Sequence, residues 1–363
     1  MKENISAVAI ATYPSLTAVA ILIASLGSLL NGFTLATLIK QYKPLQVQNI
    51  IMFSMMISDF IMSSTAMPLN IHANIMKRWP FGVEGCEAYG FITSLCGLAS
   101  MNHLAGAAFQ RYDTIDRGTR GRSFLNERRA VYFVIFLWFY SFVFSVAPLV
   151  NWSSYTIEGV GTSCAVDWSS SNPTAVSYTV VLFNFCFFLP LAIIVFSYYR
   201  VYKAVQLMRI NANQIWGNLS ATAAETLKTE KKMAGLVFIM IGAFLISWVP
   251  YAVVSLISAT GNRHLIGPLG ASVPAYIAKS SCIYNPILYF FMFKSCRIKM
   301  IAMFPSVACC KHFSRRNRVL PTVLQKANGN DTCVTKAAKN EIALRFANDA
   351  EKTRREETSV IVA

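Results

Sequence analysis

The stretch Pro274–Lys294, PAYIAKSSCIYNPILYFFMFK, decides the fold, because it sets one basic side chain in the middle of an apolar run. Between Arg263 and Lys294 the chain is apolar enough to cross a bilayer, and Lys279 is the only Lys, Arg, Asp or Glu in the interval. An ammonium at mid-membrane costs about 2.5–3.5 kcal/mol on insertion scales, so a lysine there marks a functional site unless it can snorkel to water. Snorkelling is poorly served: 14 residues separate Lys279 from Lys294, roughly 21 Å of helix at 1.5 Å per residue. Desolvation favours a neutral amine, and a neutral amine condenses with an aldehyde to a Schiff base.

Working outward, the charge-free intervals run Glu3 to Lys40, Lys43 to Lys77 (interrupted by Asp59), Glu87 to Arg111, Arg129 to Glu158, Asp167 to Arg200, Lys232 to Arg263, and Arg263 to Lys294. A crossing helix needs roughly 20 apolar residues, so the expected fold is an all-α bundle of seven transmembrane helices. Composition agrees: 363 residues are 55% hydrophobic, with a mean hydropathy of +0.45, more than a soluble fold needs. The formal charge of +16 raises nucleic acid as a partner. The basic residues gather in alternate connections, however: Lys40 and Lys43 in the first, Arg117, Arg120, Arg122, Arg128 and Arg129 in the third, Arg209, Lys228, Lys231 and Lys232 in the fifth. By the positive-inside rule this places the amino terminus outside a cell membrane and the carboxy terminus in the cytosol, with a lipid bilayer and no nucleic acid as partner. The opening apolar run lacks the basic start of a cleavable signal peptide, and none is expected.

Three spans carry a buried polar residue, Asn31, Asp59 and Asn285, and polar side chains inside a bundle seek one another or water. Six residues beyond Lys279 begin Asn285, Pro286 and Tyr289, an NPxxY arrangement. Lysine and NPxxY at this spacing resemble the animal opsins, a branch of the class A G-protein-coupled receptors. The stretch FLWFYSFVFSVAPLVNWSSYTIEG is similar to cnidarian opsins and xenopsins.

That resemblance implies retinal on Lys279 as a Schiff base, 11-cis in the dark and all-trans after light. It makes Asn285, Pro286 and Tyr289 an activation hinge, and Asn31, Asp59 and Asn285 a hydrated network able to hold sodium at Asp59. In FLISWVPY, Trp248 would press on the retinal ring and Pro250 would let the sixth helix swing. Tyr251 and Phe187, with Phe183 and Phe244, would line an apolar slot for a polyene. Pro190 and Tyr198 match the family's kink and activation-linked tyrosine in the fifth helix.

Cys86 opens the third span and Cys164 lies in the loop before the fifth, both on the oxidising side, where a disulfide would draw that loop over the bundle as a lid. The family has this bond. A buried charged Schiff base needs a carboxylate. Many vertebrate visual opsins carry it three residues after the first of these cysteines, where this chain has Tyr89. Glu158, Glu87 and Asp59 remain as candidates; Glu158 is preferred as counterion, with Tyr89 as a hydrogen-bonding neighbour.

The third span ends in Gln110, Arg111 and Tyr112, where the family usually has an acid before the arginine. By resemblance Arg111 pairs with Glu230 at rest and meets the G protein on activation; Gln110 cannot ionise and restrains Arg111 less. The domain plan is an extracellular segment 1–14, a bundle 15–293, an amphipathic eighth helix 294–310 with palmitoylation at Cys309 and Cys310, and a disordered cytoplasmic tail 311–363. Asn4 heads a glycosylation sequon. The implied partners are a heterotrimeric G protein, arrestin and a receptor kinase, and no enzyme activity is expected. Two alternatives share Lys279: a retinal photoisomerase on the same fold, with less need of Arg111 and NPxxY, and a receptor for a diffusible acidic ligand. A light-driven pump is set aside, because the third span offers no carboxylate between Glu87 and Arg111.

Overall fold

The computed structural model describes residues 7–39, 46–118, 121, 123–215 and 221–292. They form seven helical spans. The first is α1 (Ala7–Ile39). The second is α2 (Val47–Ile61) and α3 (Met67–Met76), joined by a π-helical turn at Met62–Ala66. The third is α4 (Gly82–Tyr112), extended by a π-helical turn at Asp113–Arg117. The fourth is α5 (Glu127–Val146), tightening into a 3-10 turn at Ala147–Val150. The fifth is α6 (Pro173–Leu182) and α7 (Leu189–Ile215), with a π-helical turn between. The sixth is α8 (Ala221–Ile257), and the seventh is α9 (Pro268–Lys279) and α10 (Ser281–Met292), parted at Ser280.

Local chemistry sets several of these ends. Asn126 accepts from Arg129 N at 2.9 Å and caps α5. Asn172 accepts from Thr174 N at 3.2 Å, and Pro173 fills the first helical position of α6, where a missing N–H costs nothing. Lys77 turns left-handed, φ 55°, and stops α3.

Five spans are long and apolar enough to cross a membrane by length and composition: Thr12–Ile39, Val47–Met76, Glu127–Val150, Pro173–Met208 and Ala234–Asn262. The other two depart for different reasons. The third span packs against the second, fourth, fifth and sixth, and so tolerates Asn102 and His103, both buried by protein and not by lipid. The seventh is divided into two twelve-residue pieces. The largest core cluster gathers Met52, Met55, Met56, Leu104, Leu236 and Met240 around the third span.

Between the fourth and fifth spans a two-stranded antiparallel hairpin, β1 (Tyr155–Glu158) and β2 (Ser163–Val166), pairs Tyr155 with Val166 and Glu158 with Ser163. It forms a lid on one end of the bundle. The Cys86–Cys164 disulfide binds it to the third span. Tyr13 Oη donates to Val160 O at 3.0 Å, Asn70 Nδ2 to Thr162 O at 2.8 Å, and Val160 N to Ser272 Oγ at 3.0 Å, tying the lid to the first, second and seventh spans. Gly159 makes this approach possible. Its φ is +60°, and a Cβ there would overlap Ser272 Oγ.

Candidate functional site

Lys279 is the last residue of α9, where the seventh span breaks, and only 7% of it is exposed. Its Nζ lies 3.8 Å from Glu158 Oε1, the carboxylate being carried in by the end of β1. Glu158 is held from two more directions. Ser163 Oγ donates to Oε1 at 3.2 Å from across the hairpin, and Tyr251 Oη donates to Oε2 at 3.2 Å from the sixth span. Trp168 Nε1 in turn donates to Tyr251 Oη at 3.1 Å. The acid is therefore fixed by a directed chain of donors, which keeps both of its oxygens engaged when the lysine charge is absent.

Two aromatic rings face the ammonium, Tyr89 at 5.4 Å and Tyr276 at 6.0 Å to the ring centres, close enough for cation–π attraction. Asn74 Nδ2 holds the Tyr276 hydroxyl at 2.6 Å. The Tyr89 hydroxyl is buried without a hydrogen-bond partner. Of the other acids weighed, Glu87 is exposed, and Asp59 is spent elsewhere, accepting from Ser100 Oγ at 2.9 Å and Asn285 Nδ2 at 2.7 Å.

The lysine and the acid line one end of a cavity of about 130 Å³ whose remaining wall is mostly apolar and aromatic. Phe183, Phe187, Phe244, Trp248 and Tyr251 all contribute; Tyr89 stands beside the lysine but outside this wall. Trp248 stacks on Phe244 with centres 5.3 Å apart and planes 18° apart, and donates from Nε1 to Ser281 Oγ at 3.0 Å. It rests on bare backbone at Gly97, where a Cβ would overlap the indole. The indole thus couples the third, sixth and seventh spans.

Deeper in the bundle Asp59 and Asn285 meet directly, whereas Asn31 donates to backbone, to Gly27 O at 2.9 Å and Cys282 O at 2.8 Å. At the end remote from the lid, Arg111 Nε donates to Gln110 Oε1 at 2.7 Å, and Gln110 Nε2 to Thr114 Oγ1 at 2.8 Å. Tyr198 Oη reaches Ala234 O at 2.9 Å on the sixth span, and Tyr289 Oη reaches Asn49 Oδ1 at 3.4 Å on the second. Tyr112 packs edge-on against Phe196. Pro286 lies inside α10. The Glu230 side chain, Asn4, Cys309 and Cys310 lie outside the described residues, as does the segment expected to form an eighth helix.

Comparison with known proteins bears on this arrangement. The family model described as 7 transmembrane receptor (rhodopsin family) matches residues 30–289. The chain belongs to that rhodopsin family of receptors. It is similar to human melanopsin, 34% identical over 279 residues that cover 74% of this chain and 57% of that protein. Cat melanopsin is 37% identical over 246 residues, 66% of this chain and 50% of that protein. The receptor spans about half the length of these curated relatives. Its fold is also that of squid rhodopsin, whose crystal structure superposes with a TM-score of 0.77 at 27% identity, covering 92% of this chain and 91% of that one. The receptor is a multi-pass membrane protein of seven helical spans.

Some groups that build the receptor carry no motif. His103, fully buried, meets Ala99 O through Nδ1 at 2.6 Å; the carbonyl can only accept, so Nδ1 carries the proton and Nε2 accepts from Ser54 Oγ at 2.8 Å. Trp138 Nε1 donates to the same Ser54 oxygen at 2.7 Å, which joins the second, third and fourth spans. A histidine inside a charge-free interval was the available signal. Asp116 pairs with Arg200 at 2.6 Å, and Asp113 accepts from Phe124 N and Leu125 N at 2.8 Å each, ordering the chain that enters the fourth span. Trp168, which orients Tyr251, could be suspected only as an aromatic residue in a polar loop.

Proposed function

We propose that the receptor is a light-sensing opsin that holds retinal on Lys279 and activates a heterotrimeric G protein. One observation carries this reading: a buried lysine amine facing a largely buried carboxylate at 3.8 Å, at the end of an aromatic cavity. A lysine and a glutamate in such surroundings are costly unless they serve a ligand or each other. The residues fit the group. The amine opens on the cavity, the walls are apolar rings suited to a polyene, and Tyr89 keeps a spare hydroxyl beside the lysine. When bound through a Schiff base, retinal supplies light absorption and a change of shape, from 11-cis in the dark to all-trans.

The chain's own residues do the rest. Lys279 anchors the ligand covalently, and Glu158 serves as counterion with Tyr251 and Ser163 holding its two oxygens in place. Trp248, seated between Gly97 and Phe244, is the side chain that a change of cavity shape displaces. Pro250 lies inside α8 and removes one backbone hydrogen bond, so the sixth span can pivot there. Movement of that span frees Tyr198 from Ala234 O and exposes the Arg111 end to a G protein. This is a shift between two helix arrangements, biased by ligand shape.

By the same reading the amino terminus is outside the plasma or photoreceptor membrane, Asn4 is glycosylated, Cys309 and Cys310 are palmitoylated, Asp59 takes a sodium ion at rest, and arrestin and a receptor kinase end the signal. Expression with 11-cis retinal followed by borohydride reduction tests the central claim. A retinyl adduct on Lys279, absent in Lys279→Ala, supports it. Protein that forms no adduct and no visible band refutes it.

A further inference from the structure

The carboxylate that faces Lys279 also borders a second, smaller cavity of about 50 Å³ on its lid side. Both cavities share Glu158, Val166, Trp168, Tyr251 and Ser255 as a common partition. Their characters differ. The larger is walled by rings, whereas the smaller adds Thr156, Asp167, Ser169 and Ser258, with Ala271. Asp167, Ser169 and Ser258 are partly exposed, so this cavity meets the surface at the lid end.

Ser255 adds a polar group to the partition. It is 2% exposed, and its Oγ sits beside the Tyr251 hydroxyl without a hydrogen bond of full geometry. A small polar hollow is where a protein keeps water, which needs two to four polar partners. Glu158, Tyr251, Ser255 and Ser258 supply the partners, and the volume of about 50 Å³ admits a few molecules at about 10–15 Å³ each.

The other sides of the lid are closed. Gly159 sits against Ser272 too tightly for a methyl group, Val160 is bonded to Tyr13 and Ser272, Thr162 to Asn70, and Cys164 to Cys86. Among the described residues, the polar way from the surface to Glu158 runs past the sixth span.

We propose that the smaller cavity is a water-holding antechamber through which water and protons reach Glu158 from the lid end, with Ser255 and Tyr251 as positioning residues. The inference rests on the opsin reading only in that Glu158 balances the charge on Lys279. It gives the buried pair an aqueous contact that does not require the bundle to open, and it separates the wet face of the carboxylate from the dry face turned to the lysine.

The test begins with wild-type protein and 11-cis retinal, where a visible band by itself decides the opsin reading. In that pigment, deuterium replacing the exchangeable proton at Lys279 is followed by resonance Raman after mixing with heavy water. Ala271→Leu and Ser258→Leu fill the smaller cavity without lining the larger. Each slows exchange by about tenfold or more and leaves the absorption maximum in place. Exchange at the wild-type rate in either folded variant overturns the antechamber. Wild-type pigment carries the decision should neither variant fold: radiolytic labelling by water marks Tyr251 about tenfold faster than Tyr178, which borders only the larger cavity. Equal labelling of the two tyrosines overturns it.

Discussion

Replacing Glu158 by Gln removes one charge and almost nothing else. The amide keeps the shape of the side chain and an oxygen to accept from Tyr251 or Ser163, so the lid should remain seated. What is lost follows from Coulomb's law. A unit positive charge 3.8 Å from the carboxylate is attracted by about 4 kcal/mol at an effective dielectric constant near 20. The side chains of Lys279 and Glu158 are 8% and 13% exposed, so solvent screens only a small part of this. A loss of that size changes the ratio of charged to neutral pigment by roughly a thousandfold. A buried positive charge without its partner sheds its proton. Reconstituted with 11-cis retinal at neutral pH, Glu158→Gln should therefore absorb in the near ultraviolet, and the visible band should return only on acidification. Glu87→Gln, altering an exposed side chain, should absorb as the wild type does. A visible band that survives in Glu158→Gln at neutral pH refutes the reasoning, because some other group must then balance the charge.

Ser54→Ala strips a partner from both Trp138 and His103, and unpaired buried polar groups cost about 1–3 kcal/mol each. Thermal unfolding in detergent should show the loss, and adding His103→Leu should cost less than the two single changes summed; strict additivity would exclude a shared network. Gly159→Ala forces a side chain into left-handed backbone at roughly 1–2 kcal/mol and drives a methyl at Ser272 Oγ. It should weaken retinal uptake, measured by regeneration of the visible band, and Ser272→Ala in the same chain should recover part of the loss. Gln110→Glu turns the bond from the charged Arg111 Nε to a neutral amide oxygen into an ion pair with a carboxylate, which holds the arginine more tightly. Dark nucleotide exchange on a G protein should fall in that variant, and an unchanged basal rate would show that Gln110 does not set the resting level.

How much of this was legible beforehand depended on whether the physics was local. The intervals between Lys, Arg, Asp and Glu counted the spans, even the third, whose Asn102 and His103 weaken its hydropathy, but not their ends, since α8 begins at Ala221, ahead of Lys232, and α7 continues past Arg200. Lys279 announced itself because hydrocarbon penalises it wherever the rest of the chain goes. The π-helical turns in the second, third and fifth spans were not visible, and neither was the break at Ser280, which ends α9 on Lys279 itself. These are backbone adjustments to neighbouring helices, with no residue type that compels them. The polar triad was legible as three residues seeking company, but not in its pairing: Asp59 takes Asn285 and Ser100 as donors, while Asn31 turns to the carbonyls of Gly27 and Cys282.

Glu158, the proposed counterion, shows where sequence reasoning stops and geometry starts. Elimination among three acids pointed to Glu158, but elimination supplies no distance, and a carboxylate in a loop ordinarily lies in water. What brings this one to 3.8 Å from a buried amine is a set of restraints spread over the whole chain. A disulfide holds β2 to the third span, hydrogen bonds from Tyr13, Asn70 and Ser272 hold the turn, and a glycine lets that turn touch the seventh span. Each restraint is modest alone. Together they convert a loop into a wall, and only a wall can hold an acid dry enough on one face to keep a buried base charged. It follows that loosening any of these straps should act on the pigment much as a partial removal of Glu158 would. In Tyr13→Phe, which loses the hydroxyl bonded to Val160 and keeps the ring, the visible band should therefore yield to bleaching at a less alkaline pH than in wild type. A band as resistant as wild type would mean that the disulfide and the Ser272 contact hold the acid without help from the first span.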